Sequence, residues 1–251
     1  MKKPVPIPGR EKQNMVIVDF GNPFLRDYFP KWLQSHKEHL NEIKQILPAW
    51  AKEAREIERR EATQTNRAPR PIAVVFDIDE VLLCNTHLNG FKAPAGVQGP
   101  NPIDFHVADF FIDQATGKSW GREDPGDPPL PGAVALLEQL AILNIQPFFI
   151  TGRLESIRDI TIEDFRRAGF TDTPGAAIRP GDLQADRGIL VMCRDDEYPA
   201  PGESIRPFKE GHRERIEKTH RIMLNVGDQP SDLGLYGDRQ YYLPHPFYST
   251  Y

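Results

Sequence analysis

Two aspartates, Asp77 and Asp79, directly follow an apolar run at residues 73–76. The run does not alternate polar with apolar residues, which is typical of a buried parallel strand. Side chains at the carboxyl end of such a strand lie where open α/β sheets bind their ligands. Two carboxylates held close together repel each other unless a proton or a cation lies between them. The pair therefore predicts a divalent metal and a carboxylate that attacks or carries a proton, although solvated turns show the same pattern.

A hydroxyl, a glycine and a cation, Thr151, Gly152 and Arg153, follow the predicted strand 146–150. Glycine lets the backbone approach an anion, and the threonine hydroxyl can donate to a phosphoryl oxygen. We expect Gly152 and Arg153 to contact the substrate, with an acid of the next helix as the alternative partner of Arg153. The simpler interpretation is that the Thr-Gly pair forms a turn that only caps that helix.

Two further acids, Asp228 and Asp232, follow the predicted strand 222–226. Asp228 is placed to join Asp77 in holding a hard cation through oxygen atoms. Asp232 is placed to orient the groups that bind the cation without binding it directly, or to accept a hydrogen bond from the loop. The alternative is an acidic helix start that binds no metal.

Lys209 stands at the start of the helix before that last strand, with Arg213 one turn later. An ammonium between a nucleophilic carboxylate and a phosphate would offset their repulsion. We therefore expect Lys209 to reach Asp77, and Lys218 is the alternative. A surface lysine on an amphipathic helix would show the same local pattern.

Helical and strand patterns alternate along the chain. The helices are predicted at 32–60, 131–143, 154–168 and 209–219, and the strands at 73–76, 146–150, 189–193, 222–226 and 240–243. This alternation predicts an α/β fold with a doubly wound, Rossmann-like parallel sheet. Residues 1–70 should form an extended arm to about residue 30, then a helix that Pro48 kinks or divides. This N-terminal extension is expected to pack on a core at 71–251.

Residues 84–130 interrupt the alternation with a segment rich in glycine, proline and aromatic residues. A structureless loop of this length indicates a functional segment. We expect a small cap over the carboxyl end of the sheet, whose rings select the substrate. The alternative is an aromatic mini-core with no ligand role. The rings predicted to contact the substrate are Phe91, Phe105 and Trp120.

The composition excludes several classes of protein. A net charge of −5 over 251 residues and a pI near 5.8 argue against a nucleic-acid partner. Two cysteines, Cys84 and Cys193, do not make a disulfide framework. No apolar stretch approaches the roughly 20 residues needed to span a bilayer. We expect a cytoplasmic protein, or an exported one if a leader was removed; the sequence does not indicate the oligomeric state.

The four motifs, in their order along the chain, resemble those of the haloacid dehalogenase (HAD) superfamily. The resemblance narrows to its acid phosphatase subfamily, which contains bacterial class B-like acid phosphatases, outer-membrane nucleotidases and plant vegetative storage proteins. It covers about residues 70–251 and includes the run Leu-Pro-His-Pro-Phe-Tyr at 243–248. Val81 departs from the pattern, because the subfamily usually has threonine at this position.

The resemblance implies a phosphatase mechanism for these residues. Asp77 would attack phosphorus and form an aspartyl-phosphate, and Asp79 would protonate the leaving alcohol and later activate water. Mg²⁺ would be bound by the Asp77 carboxylate, the Asp79 carbonyl and Asp228. Lys209 would neutralise charge and Thr151 would orient the phosphoryl oxygens.

The expected function is a Mg²⁺-dependent hydrolase of small phosphomonoesters, with nucleotides among the candidates. Two alternatives stay open. One is a phosphatase that heals nucleic-acid ends, which would need a basic approach channel. The other is a non-catalytic storage or binding protein on the same fold.

Overall fold

The structure, a computed structural model, describes residues 23–84, 127–171, 190–196 and 204–244, with side chains from residue 31 onward. The helices are α1 (Pro23–Gln64), α2 (Ala133–Ile142), α3 (Arg158–Arg167) and α4 (Arg206–Thr219). The strands are β1 (Ile72–Phe76), β2 (Gln146–Leu154), β3 (Val191–Arg194), β4 (Arg221–Gly227) and β5 (Gln240–Tyr242). Among the described helices, none combines the length and the apolar character needed to cross a membrane.

The five strands form one parallel sheet in the order β3-β2-β1-β4-β5. The chain moves outward from β1 to β3 and then crosses back to β4. Right-handed connections therefore place α4 on the face opposite α2. The doubly wound α/β sheet predicted from the sequence is confirmed, and the strand order reverses between β1 and β4, where such sheets bind ligands.

Neighbouring residues of β2 show the two covered faces of the sheet. The ring centroids of Phe149 and Phe165, which belongs to α3, lie 4.8 Å apart. The ring centroids of Phe148 and His220, at the end of α4, lie 4.9 Å apart. Because successive side chains of a strand point to opposite faces, α3 and the end of α4 cover different sides of the sheet.

Helix α1 packs on the sheet through a stripe of apolar side chains. Leu40, Ile43 and Leu47 are fully buried and belong to the same apolar cluster as β1. Each such side chain contributes about 1.5–3 kcal/mol on burial. Burial of this stripe therefore contributes more free energy than a single unfavourable residue within the helix costs.

The N-terminal helix begins earlier than predicted, and Pro48 does not divide it. The chain is helical from Pro23, so the expected extended arm does not reach residue 30; residues 1–22 lie outside the described part. Helix α1 also continues through Pro48 without being divided. A proline inside a helix costs about 3 kcal/mol, and burial of Leu47 and Ala51 on either side of it offsets this cost.

Strand β2 is longer than predicted. Thr151, Gly152 and Arg153 were expected in a turn after the strand, but β2 continues to Leu154. Its pairing with β3 shifts register between Ile150 and Leu154. An irregularity of this kind re-aims side chains without ending the strand, so these three residues remain part of β2 beside the site described next.

Candidate active site

Three carboxylates meet where β1 and β4 end. Asp77 follows β1, and its backbone N–H donates to the Val226 carbonyl at 3.0 Å, which extends the ladder one residue beyond the strand. Asp228 directly follows β4, and Asp232 ends a 3₁₀ turn at Pro230–Asp232. Oxygens of the three carboxylates lie within 4.8 Å of one another.

Lys209 lies between two of these carboxylates. It occupies the first turn of α4, and only 3% of the residue is exposed. Its Nζ donates to Asp77 Oδ1 at 2.9 Å and also contacts Asp232 Oδ1. The alternative, Lys218, has 67% of its side chain exposed and pairs with Glu214 at 3.2 Å on the surface of the same helix.

The site holds more negative charge than Lys209 balances. Burial raises the pKa of Asp77 to about 7; Asp232 adds to this rise, and Lys209 offsets part of it. Burial, Asp232 and Asp77 likewise raise the pKa of Asp228 well above its ordinary value. Burial opposes the charge of Lys209, but the carboxylates of Asp232 and Asp77 outweigh it, so the pKa of this ammonium is raised. Such a surplus of buried negative charge favours an additional cation.

The donor atoms fit a hard divalent cation. Asp232 is engaged by the protein, because its Oδ2 accepts from the Gln229 N–H at 2.8 Å and its Oδ1 contacts Lys209. Asp77 and Asp228 are therefore the carboxylates that could hold the ion, in an all-oxygen setting of the kind that Mg²⁺ prefers. The side chain of Gln229 steadies Asp228 by donating to its Oδ2 at 2.8 Å.

A buried arginine fixes the acidic loop after β4. Arg213 of α4 is 1% exposed. Its Nε donates to Asn225 Oδ1 at 3.1 Å, its Nη1 to the Ser231 carbonyl at 3.0 Å, and its Nη2 contacts the Asp232 carbonyl. The guanidinium thus satisfies loop carbonyls that would otherwise be buried without donors.

A tight turn follows Asp79. The Ile78 carbonyl accepts from the N–H groups of Leu82 and Leu83 at 2.9 and 3.0 Å, and Glu80 adopts a φ of 57°, in the left-handed region. His36 of α1 donates from Nε2 to the Val81 carbonyl at 3.0 Å. The N-terminal helix therefore contacts the turn that follows the two aspartates.

The two ends of the long insertion lie side by side next to this turn. The Cys84 N–H donates to the Pro128 carbonyl at 2.9 Å, and the Leu130 N–H to the Leu82 carbonyl at 2.8 Å. The insertion therefore leaves and rejoins the core beside Asp79. The predicted substrate contacts Phe91, Phe105 and Trp120 lie outside the described residues.

Arg153 contacts carboxylates. Its Nε and Nη2 donate to Asp79 Oδ1 at 3.0 and 2.6 Å. Its Nη1 donates to Asp164 Oδ2 at 2.8 Å, and Nη2 also contacts Asp127 Oδ2. Of the two partners considered for Arg153 from sequence, the structure shows the acid of the next helix, Asp164 in α3, and adds Asp79 and Asp127.

Burial also raises the pKa values of two of the acids that contact Arg153. It raises the pKa of Asp127 to about 7 against the opposing effect of Arg153. It raises the pKa of Asp164 in the same way. Sequence reasoning missed Asp127, which lies among turn-forming residues and carries no motif. For Asp164 the only signal was its place in the helix that follows Arg153.

Thr151 and Gly152 lie at the irregular part of β2. The Thr151 hydroxyl is buried and accepts from the Arg153 N–H at 3.1 Å. A hydroxyl can accept and donate at once, so this contact is compatible with donation to a phosphoryl oxygen. A Cβ at Gly152 would lie 3.2 Å from Ile205 Cδ1, so a side chain there would require this methyl group to shift by a few tenths of an ångström.

Comparison with known proteins identifies the family of the chain. A sequence profile of the HAD superfamily, subfamily IIIB (acid phosphatase), matches residues 22–251. Acid phosphatase 1 of Solanum lycopersicum is 27% identical over 177 residues, which are 69% of this chain and 57% of that protein. Vegetative storage protein 1 of Arabidopsis thaliana is 25% identical over 178 residues, which are 69% of this chain and 54% of that protein. The chain thus spans little more than half the length of these plant relatives.

Among solved structures, the class C acid phosphatase from Bacillus anthracis is 18% identical, with a TM-score of 0.44 and 87% of each chain covered. The family assignment rests on the sequence profile, which covers most of the chain. The protein belongs to the HAD superfamily, subfamily IIIB, the acid phosphatases.

Proposed function

We propose that this protein hydrolyses small phosphomonoesters, with Asp77 as the nucleophile. The observation that carries the proposal is the pairing of Asp77 with Lys209 at 2.9 Å, beside Asp228 and at the carboxyl ends of two central strands. The Lys209 ammonium offsets part of the rise that burial causes in the pKa of Asp77, so it favours the ionised carboxylate, and its hydrogen bond orients that carboxylate. An ionised carboxylate in this place can attack a phosphoryl group.

The proposed reaction has two halves. An oxygen of Asp77 bonds to phosphorus while the ester P–O bond breaks, and Asp79 gives its proton to the departing alkoxide. Water then attacks the aspartyl-phosphate, Asp79 takes a proton from it, and phosphate and the Asp77 carboxylate are released. Splitting one difficult step in this way is the advantage of covalent catalysis, and acid–base assistance is typically worth about 10²–10⁴ in rate.

The charges around Asp77 suit this chemistry. Lys209 supplies positive charge to the phosphoryl oxygens as Asp77 attacks, and Thr151 can donate to one of them. Asp77, the Asp79 carbonyl and Asp228 would hold a Mg²⁺ ion. When bound, such an ion neutralises phosphoryl charge in the transition state.

The leaving group is the part of the substrate that the insertion would select. The insertion emerges beside Asp79, the residue proposed to protonate the leaving oxygen. We propose nucleoside monophosphates among the substrates, selected by aromatic residues at 85–126. A panel of nucleotides, aliphatic phosphates and a 5′-phosphorylated oligonucleotide separates small-molecule specificity from end healing.

The test is hydrolysis of p-nitrophenyl phosphate by the purified protein with added Mg²⁺. We expect turnover that is lost in EDTA and restored by Mg²⁺. A protein that binds Mg²⁺ and phosphate with Asp77 and Lys209 intact, but releases no p-nitrophenol, would be a binding or storage protein, and the proposed function would be rejected.

A further inference from the structure

The hydrogen-bond donors of Arg153 are all engaged within the protein. A guanidinium has five N–H groups. Nε donates one to Asp79, Nη2 contacts Asp79 and Asp127, and Nη1 contacts Asp164 and the Thr161 hydroxyl, the last at 3.4 Å. Only 7% of the side chain is exposed. A phosphate oxygen would have to displace one of these acceptors to reach the guanidinium.

We propose that Arg153 is a positioning residue for Asp79 and makes no contact with the phosphate. This inference rests on the proposed function, because only there does Asp79 exchange protons with the leaving group and with water. Nε and Nη2 both donate to the same oxygen, Asp79 Oδ1. Two contacts to one oxygen restrict the rotation of the carboxyl group, so Oδ2 is the oxygen left to exchange the proton in the proposed reaction.

Asp127 and Asp164 hold the two terminal nitrogens of the guanidinium, Asp127 through Nη2 and Asp164 through Nη1. Asp164 accepts from Arg153 through Oδ2 and from the Asp127 N–H, at 3.2 Å, through Oδ1. All three residues are buried. Because an arginine stays ionised and its fork is planar and rigid, anchoring two of its nitrogens also sets the direction of the third contact, the one to Asp79.

The dependence on the leaving group distinguishes positioning of Asp79 from a general structural role. A weakly basic leaving group such as p-nitrophenolate departs with little protonation, whereas an aliphatic alkoxide needs a well-placed acid. The ratio kcat/KM reports the steps up to and including the first bond cleavage. The comparison is therefore kcat/KM for p-nitrophenyl phosphate against kcat/KM for an aliphatic phosphomonoester.

The first variant is Arg153→Lys, which keeps the charge but lacks the planar fork that spans the three carboxylates. We expect kcat/KM for the aliphatic ester to fall at least about tenfold more than for p-nitrophenyl phosphate. The inhibition constant of inorganic phosphate should stay within about twofold of the parent value, because phosphate does not contact this side chain. Thermal melting of each variant shows whether it is folded.

A second variant keeps the inference testable if Arg153→Lys does not fold. Asp164→Asn loosens the guanidinium without touching Asp79, and we expect the same preferential loss for the aliphatic ester, of about threefold to tenfold. Asp159→Asn is the matched control, because Asp159 is exposed in the first turn of α3. It should leave both kcat/KM values unchanged.

Two results would overturn the inference. Equal losses of kcat/KM for both esters, or no loss, would show that Arg153 and Asp164 only support the fold. A rise in the inhibition constant of phosphate that matches the loss in kcat/KM would make Arg153 a phosphate ligand. Failure of the parent protein to hydrolyse either ester would reject the proposed function itself and is seen before any variant is compared.

Discussion

Gly227, the last residue of β4, lies directly against the side chain of Asp232, so closely that a Cβ at position 227 would be 2.0 Å from Asp232 Cβ. No real pair of Cβ atoms tolerates this distance. The absence of a side chain at Gly227 is therefore what lets the acidic loop fold back and bring Asp232 to Lys209.

We predict that Gly227→Ala destabilises the protein and lowers turnover. Overpacking a tightly packed site costs about 1–3 kcal/mol, and here it also moves the partner of Lys209. Denaturant unfolding and the kcat for p-nitrophenyl phosphate measure the two effects.

Gly211→Ala is the matched control for this change. Gly211 lies within α4, and a Cβ there meets no atom within 4 Å. This variant should be more stable than the parent by about 0.5–1 kcal/mol, the usual gain for this exchange within a helix. Equal stability of the two alanine variants would show that the contact between Gly227 and Asp232 is not important.

We predict that Lys209→Met lowers turnover at least about 100-fold, because it removes the ammonium that faces the phosphoryl oxygens. Lys218→Met on the same helix should stay within about twofold of the parent kcat, since Lys218 is exposed and pairs only with Glu214 among the described residues. Steady-state kinetics with saturating Mg²⁺ compares the two. A large loss in Lys218→Met with activity retained in Lys209→Met would reverse the assignment of the lysine.

The buried contact between α1 and the turn after Asp79 predicts a pH dependence of stability. Burial lowers the pKa of His36 from 6.5 to about 4. Between these two values the unfolded chain binds the proton and the folded protein does not. The free energy of unfolding therefore falls as the pH falls from 6.5 to 4, by about 3 kcal/mol for this residue at its completion.

His36→Gln tests this effect, because glutamine does not titrate and can still donate to the Val81 carbonyl. Denaturant unfolding of parent and variant at pH 7 and near pH 4.5 should show a smaller loss of stability in the variant. His212 and His220, whose pKa values burial also lowers, titrate in both proteins and cancel in the difference. The same pH dependence in both proteins would contradict a buried, neutral His36.

The sheet could be predicted from the sequence because largely apolar runs such as 73–76 and 222–226 are typical of strands that are buried on both faces. The order of the motifs also predicts Lys209 beside Asp77, and these side chains lie 2.9 Å apart. The uninterrupted α1 could not be predicted, because the local cost of Pro48 is offset only by burial of its neighbours on the sheet.

The partners of Arg153 could not be predicted from the sequence for a different reason. Its partners Asp79, Asp127 and Asp164 come from three separate stretches of the chain. Asp127 reaches the site because the insertion returns beside its point of departure, which local sequence patterns do not encode. The irregular register of β2, which carries Arg153, depends on pairing with β3 and is equally non-local.

The central claim, that Asp77 becomes phosphorylated, is tested most directly by trapping the intermediate. In Asp79→Asn, p-nitrophenyl phosphate can still transfer its phosphoryl group, but activation of water is impaired, so the aspartyl-phosphate should accumulate. Reduction with borohydride converts an aspartyl-phosphate to homoserine, which peptide mass spectrometry locates. We predict homoserine at position 77 only after exposure to the substrate. Release of p-nitrophenol while Asp77 is recovered unchanged would contradict the account.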